Sequence, residues 1–130
     1  MTEDKLVLTP FQKALNSLDK VLALEKDEVV RDAAIQRFEY TYELAWKMIK
    51  RHLEWSGDAE AGTLTRHDLF REAARIGLIA DADVWFEYHQ ARNETSHTYE
   101  ETAAEEVYES AKKFALDARA LLNELEKHHS

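Results

Sequence analysis

The chain has no cysteine, a single proline and three glycines among its 130 residues. Without cysteine there is no disulfide, no thiolate nucleophile and no zinc–thiolate centre. With so little glycine and proline, the turn chemistry that a β-rich fold needs is missing. No apolar run approaches the roughly 20 residues that span a bilayer. The opening Met1-Thr2-Glu3-Asp4-Lys5 is charged and lacks the apolar stretch of a secretory signal. The chain is therefore expected to be soluble and cytoplasmic, with no membrane association. Positive charge is also scarce: 17 Lys and Arg face 26 Asp and Glu, for a net charge of −9. Such a surface repels nucleic acid at long range, so wholesale coating of RNA or DNA is disfavoured and any contact has to be local.

What is present is helix-forming. Ala, Leu, Glu and Lys dominate, and 45% of the residues are hydrophobic, enough for one buried core over 1–130. Thr9-Pro10 reads as a cap followed by proline in the first turn, opening a helix to about Leu24 with the stripe Phe11, Ala14, Leu15, Leu18 and Leu22. Asp27 can cap a much longer helix ending near Trp55, before Ser56-Gly57. Ile35, Phe38, Tyr42, Ala45 and Ile49 form one apolar face of it, and Tyr40, Leu44, Met48 and Trp55 form another. A helix apolar on two sides packs on two sides, inside its own bundle or against a second subunit. Thr65 with Asp68 marks a short helix ending at Gly77, and Asp81 or Asp83 caps a fourth through Trp85, Tyr88 and Ala91. Thr102 with Glu105 reads as a capping box for the last helix, whose stripe is Ala104, Val107, Ala111, Phe114, Ala118, Leu121 and Leu125. Lys127-His128-His129-Ser130 reads as a frayed tail. The fold class is all-α: an antiparallel bundle of about five helices in one domain.

The chemistry gathers in Ala91–Tyr99, "ARNETSHTY". The caps place Arg92 to His97 in the last turns of the fourth helix and Tyr99 in the connection after it. Arginine grips the non-bridging oxygens of a phosphodiester and imidazole moves protons, so neither needs a metal ion for phosphodiester chemistry. At about 100° per residue, however, Arg92 and His97 point about 140° apart on a straight helix. A helix that loosens near Ser96, or a second subunit bringing its own Arg92, closes that gap. Without such closure the two are surface residues paired with Glu94, Glu100 or Glu101. Glu39 and Glu43, four apart, suggest a carboxylate metal site, but Glu94-x-x-His97 is the single Glu-x-x-His pair where two are needed, so no metal site is expected.

Arg92-Asn93-x-x-x-His97-x-Tyr99 resembles the Arg-x4-His-x-Tyr signature of HEPN-domain proteins (higher eukaryotes and prokaryotes nucleotide-binding). "AIQRFEYTYELAWKMIKRHLE", positions 34–54, is similar to the segment Gln-Arg-Phe-Glu…Glu-Leu-x-Trp-Lys of the subgroup called nucleotidyltransferase substrate-binding proteins. The resemblance implies a HEPN-like bundle that forms a homodimer with the two Arg-His motifs facing each other. It further implies the toxin of a toxin–antitoxin pair, a metal-independent endoribonuclease without cofactor, whose partner is a cognate minimal nucleotidyltransferase antitoxin that transfers AMP to the motif tyrosine. Carried over, Arg92 and His97 are catalytic, Asn93 supports them, and Tyr99 is the AMP acceptor.

Six glutamates and one arginine between Arg92 and Glu109 oppose RNA, so basic residues from elsewhere must assist. Candidate RNA contacts are Lys47, Lys50 and Arg51 on the second helix and Arg66, Arg71 and Arg75 on the third. A rival reading is a non-catalytic adaptor that binds the nucleotidyltransferase and presents or accepts a nucleotide, with Trp85, Phe86 and Tyr88 as contacts if they are exposed.

Overall fold

The computed structural model describes residues 4–58 and 60–130. Its elements are α1 (Thr9–Leu22), α2 (Glu28–Trp55), α3 (Arg66–Arg75), α4 (Ala82–Glu94) and α5 (Glu101–His129), with 3-10 turns at Ala61–Thr63 and Thr95–His97. Among the described residues there is no strand. Three caps form as their side chains predict. The Asp27 carboxylate accepts the Val30 N–H at 2.7 Å, and Thr65 accepts that of Asp68 at 3.1 Å. Asp81 accepts the N–H of Asp83 at 2.9 Å. Each satisfies a backbone donor that the first helical turn leaves free. Gly57 and Gly77 take φ of 105° and 82° just beyond α2 and α3, a region open to glycine at no steric cost.

Successive long helices alternate in direction, which makes α2 and α5 parallel: Arg31 meets Glu101 and Glu105 at one end, and His52 meets His129 at the other. Phe11, Leu15 and Leu18 of α1, Phe38, Tyr42 and Ile49 of α2, and Leu121, Leu122 and Leu125 of α5 are fully buried. Phe114 is the hub, its ring 5.2–6.2 Å from those of Phe38, Tyr42, Trp85 and Tyr88 in edge-on contacts. Such aromatic pairs add about 0.5–1.5 kcal/mol each beyond burial.

Four expectations change. Thr9 is itself helical and Leu8 precedes it without a side-chain cap, while α1 stops at Leu22. Thr102 does not cap α5, which begins at Glu101. Glu105, the other half of that box, is drawn instead to Lys26 and Arg31. The second stripe of α2 is partly covered within the chain. Met48 is core and Trp55 packs on His129 with ring centroids 4.5 Å apart, while Tyr40 stays exposed with its hydroxyl sharing a hydrogen bond with Ser17 at 2.6 Å. That stripe therefore does not by itself call for a second subunit. Finally, the expected frayed tail is helical to His129, and His129 is buried.

The tail is held by a chain of imidazoles. The Leu6 N–H donates to His129 Nδ1 at 3.1 Å, which leaves the proton on Nε2. That nitrogen donates to His52 Nδ1 at 2.9 Å. Both rings must be neutral for this pattern. Burial lowers His52 from 6.5 to about 4, helped by the neighbouring His129 and His128, and burial also lowers His129. The unfolded chain binds protons near pH 6.5 that the folded chain refuses, so stability falls as pH drops from 6.5 towards 4. The loss is up to about 1.4 kcal/mol per histidine for each pH unit traversed. The melting temperature should decline over that window, and His52→Gln should flatten the decline while lowering the melting temperature at pH 7.5. A decline equally steep in the variant would show that the clasp is not its source.

Candidate active site at the end of α4

The segment that carries the motif is shaped by hydroxyls. The Thr95 hydroxyl reaches the Arg92 carbonyl at 2.7 Å, Ser96 donates to the Asn93 carbonyl at 3.1 Å, and Thr98 donates to that of Thr95 at 3.2 Å. These bonds satisfy carbonyls that the helix end leaves free, and the backbone tightens into the 3-10 turn Thr95–His97. A 3-10 turn advances about 120° per residue, so it carries His97 further round the axis and not back over Arg92. The helix does not loosen at Ser96. Within one chain, Arg92 and His97 stay on different sides of the segment.

Arg92 is tied to α2. Its Nε donates to Glu43 Oε1 at 3.0 Å, and its Nη1 lies 3.4 Å from Glu39 Oε2. Glu39 Oε2 also accepts the Thr95 hydroxyl at 2.9 Å, a proton shared with the Arg92 carbonyl. Glu39 and Glu43 therefore serve as the arginine's partners, in place of the expected Glu94, Glu100 or Glu101. The guanidinium side chain remains 32% exposed, with its Nη2 edge free of protein hydrogen bonds among the described residues. Asn93, His97 and Tyr99 are exposed, Tyr99 at 80%, and the His97 and Tyr99 rings meet edge-on at 6.2 Å.

The candidate basic residues divide. Lys47 and Arg51 are exposed on α2 and Lys50 is half-buried. Arg71 pairs with Asp68 at 3.2 Å and Arg75 with Glu72, each a turn earlier on α3. Arg75 also lines a cleft of about 520 Å³ with Trp55 and His128, at the C-terminal end of α2 and about four turns from Glu39. Trp85 and Tyr88 are buried in the core and Phe86 is half-buried, so the first two are unavailable as partner contacts.

One polar group beside the site has no counterpart in the motif. The Tyr42 hydroxyl lies 2.9 Å from His89 Nδ1, and Arg66 Nη1 donates to that hydroxyl at 3.2 Å. Burial pushes the Tyr42 phenol up to about 12 against the opposing effect of Arg66. Burial, followed by the nearby Arg66 charge, lowers His89. The spacing of His89 and Arg92, one turn apart on α4, carried the signal that would have found it.

Residues 6–127 match the family described as nucleotidyltransferase substrate binding protein like, and the chain belongs to that family. It is similar to the probable ribonuclease HepT of Haemophilus influenzae, with 36% identity over 96% of this chain and 95% of that protein. Among solved structures it resembles a Haemophilus influenzae protein described as having the fold of a substrate binding domain of a nucleotidyltransferase. The TM-score is 0.86 at 32% identity, covering 92% of this chain and 99% of that one. A protein from Thermus thermophilus superposes with a TM-score of 0.77 at 32% identity, over 88% of this chain and 98% of that one.

The carboxylate grip on Arg92 is measurable. Glu43→Gln and Arg92→Gln, singly and together, should show a coupling on the order of 1 kcal/mol in urea unfolding, modest because both side chains are about one-third exposed. Additive effects would mean that the pair forms without contributing to stability.

Proposed function

We propose that the chain is a metal-independent endoribonuclease, the toxin of a toxin–antitoxin pair, whose active site is completed across a homodimer. The observation that carries this reading is an arginine braced by two carboxylates yet still open along one edge, five residues before an exposed imidazole. The similarity to a probable ribonuclease supports it. Because His97 turns away from Arg92 in its own chain, the pair works when two copies of the α4 end face one another. In that arrangement Arg92 holds the non-bridging phosphate oxygens. An imidazole takes the proton from the ribose 2′-hydroxyl as its oxygen attacks phosphorus. The bond to the 5′-oxygen breaks, and that oxygen takes a proton from the partner subunit's His97. The products are a 2′,3′-cyclic phosphate and a free 5′-hydroxyl.

Loss of a proton-transfer or charge-stabilising group costs about 10²- to 10⁴-fold in rate. His97→Ala and Arg92→Ala should each reduce RNA cleavage by that much and relieve growth inhibition, with the melting temperature close to that of the parent. Cleavage by the parent should persist in excess EDTA, and sedimentation should show a dimer at micromolar concentration. Cleavage that depends on divalent metal, or that survives both substitutions, would refute the mechanism.

Tyr99 is the proposed AMP acceptor. At 80% exposure it is open to a partner enzyme, whereas Tyr42 is wholly buried. An adenylyl group there brings a phosphodiester anion next to His97 and into competition for the free edge of Arg92. Co-expression with the cognate minimal nucleotidyltransferase should add 329 Da (about the mass of AMP less water) to the peptide containing Tyr99 and silence cleavage. Tyr99→Phe should remain active and resist silencing. AMP found on another residue would favour the second reading, an adaptor that presents or accepts a nucleotide for its nucleotidyltransferase. That reading draws on the acidic surroundings of the motif, which suit a basic protein partner.

A further inference from the structure

Arg66, the first residue of α3, differs from Arg71, Arg75 and Arg92. Each of those meets a carboxylate, whereas Arg66 has no carboxylate partner among the described residues. Its guanidinium lies flat over the half-buried Trp46 indole, 3.5 Å from the ring centroid. Its Nη1 donates to the Tyr42 hydroxyl at 3.2 Å and lies 3.4 Å from His89 Nδ1. Arginine has only donors, so the Tyr42 oxygen accepts from Arg66 and sends its own proton to His89 Nδ1, 2.9 Å away. His89 is thereby fixed as the tautomer with its proton on Nε2. Tyr42 is wholly buried, so both groups are anchored to the core.

The surroundings are aromatic. His67 stacks on Phe86 with centroids 4.4 Å apart, and Phe86 lies 5.6 Å from the His89 ring. The group also connects to the arginine of the motif. Trp46 Nε1 donates to Glu43 Oε2 at 3.1 Å, and Glu43 Oε1 accepts from Arg92. An unneutralised planar cation and two aromatic surfaces thus stand around His89, a fixed N–H donor one helical turn from Arg92.

We propose that Arg66 and His89, framed by Trp46 and the His67–Phe86 stack, form a subsite for the phosphate and base of a nucleotide flanking the cleaved bond in single-stranded RNA. The proposal rests on the ribonuclease reading above and names the form of RNA that the site accepts. Arg66 is half-buried, and its Nε and Nη2 have no protein hydrogen bond among the described residues, which leaves them for phosphate oxygens; neutral His89 adds an N–H without having to be protonated. Aromatic faces recognise bases that are unstacked, which a duplex does not present.

The test uses the full-length His97→Ala protein, which does not consume the probe, and a fluorescent 12-nucleotide RNA, single-stranded or annealed to its complement. The single strand should bind more tightly than the duplex. Adding Arg66→Met should weaken single-strand binding about 5- to 100-fold, the range for one lost stacking and charged contact. Arg66→Lys, which keeps the charge and loses the planar fork, should fall between the two and guards against a folding defect in the Met variant. Single-strand affinity unchanged by Arg66→Met, or tighter duplex binding, overturns the subsite. If the parent chain still cleaves RNA in that case, the ribonuclease reading stands alone. Affinity that depends on Arg66 in a protein without cleavage activity would instead retain the subsite and remove the ribonuclease.

Discussion

Two carboxylates four residues apart on α2 organise the candidate site. Glu39 and Glu43 face α4 because they flank Phe38 and Tyr42, whose rings are locked in the core around Phe114. That placement fixes where Arg92 is held, and Glu39 also anchors Thr95 at the start of the tightened turn. The direction of the exposed His97 and Tyr99 follows from that turn. A guanidinium held at Nε and Nη1 has lost most of its rotational freedom, yet its Nη2 has no protein hydrogen bond among the described residues. A group held in this way is already oriented, so the proposed phosphate would have less ordering to impose.

The helical plan was legible in the sequence because its signals are local. Asp27, Thr65 and Asp81 each accept N–H groups two or three residues along the same helix, so short-range chemistry predicted them correctly. The failures are long-range. Thr102 and Glu105 have the spacing of a capping box, but Arg31 and Lys26, more than 70 residues earlier, draw Glu105 away. The C-terminal histidines look like a tail until His52 and the Leu6 N–H are folded against them. The candidate site shows the same divide. Arg92, Asn93, His97 and Tyr99 stand within eight positions, and the pattern alone singles them out. The carboxylates that orient Arg92, and the Tyr42–Arg66–His89 group beside it, come from three helices and appear only when those helices pack.

The C-terminal end and the middle of α2 use buried polarity in different ways. At the His52 end, two neutral imidazoles pass a hydrogen bond from one to the next, and any added proton breaks the sequence. At Tyr42, midway along α2, a buried phenol lies between a cation and an imidazole, and its proton is directed by an arginine that cannot accept one. Both arrangements satisfy groups that would be costly to bury alone. The first joins the two ends of the chain, and the second presents fixed donors to the surface.

Acidity is the strongest argument from sequence against an RNA substrate, and the fold alters its weight. Counting along the chain gives six glutamates and one arginine between Arg92 and Glu109. Folding pairs three of those glutamates with cations: Glu101 with Arg31, Glu105 with Arg31 and Lys26, and Glu109 with Lys112. Arg31 and Lys26 lie outside the counted window and belong to α2 and the connection before it, so a linear count omits them. Charges further away than about 8 Å are largely screened at physiological salt, which makes the −9 of the whole chain a weak guide to the field at Arg92. What a phosphate meets there is a guanidinium compensated by Glu39 and Glu43, with the uncompensated Arg66 across Trp46 and Glu43. The net field at the site is thus set by which carboxylates already hold a cation, and that is a property of packing.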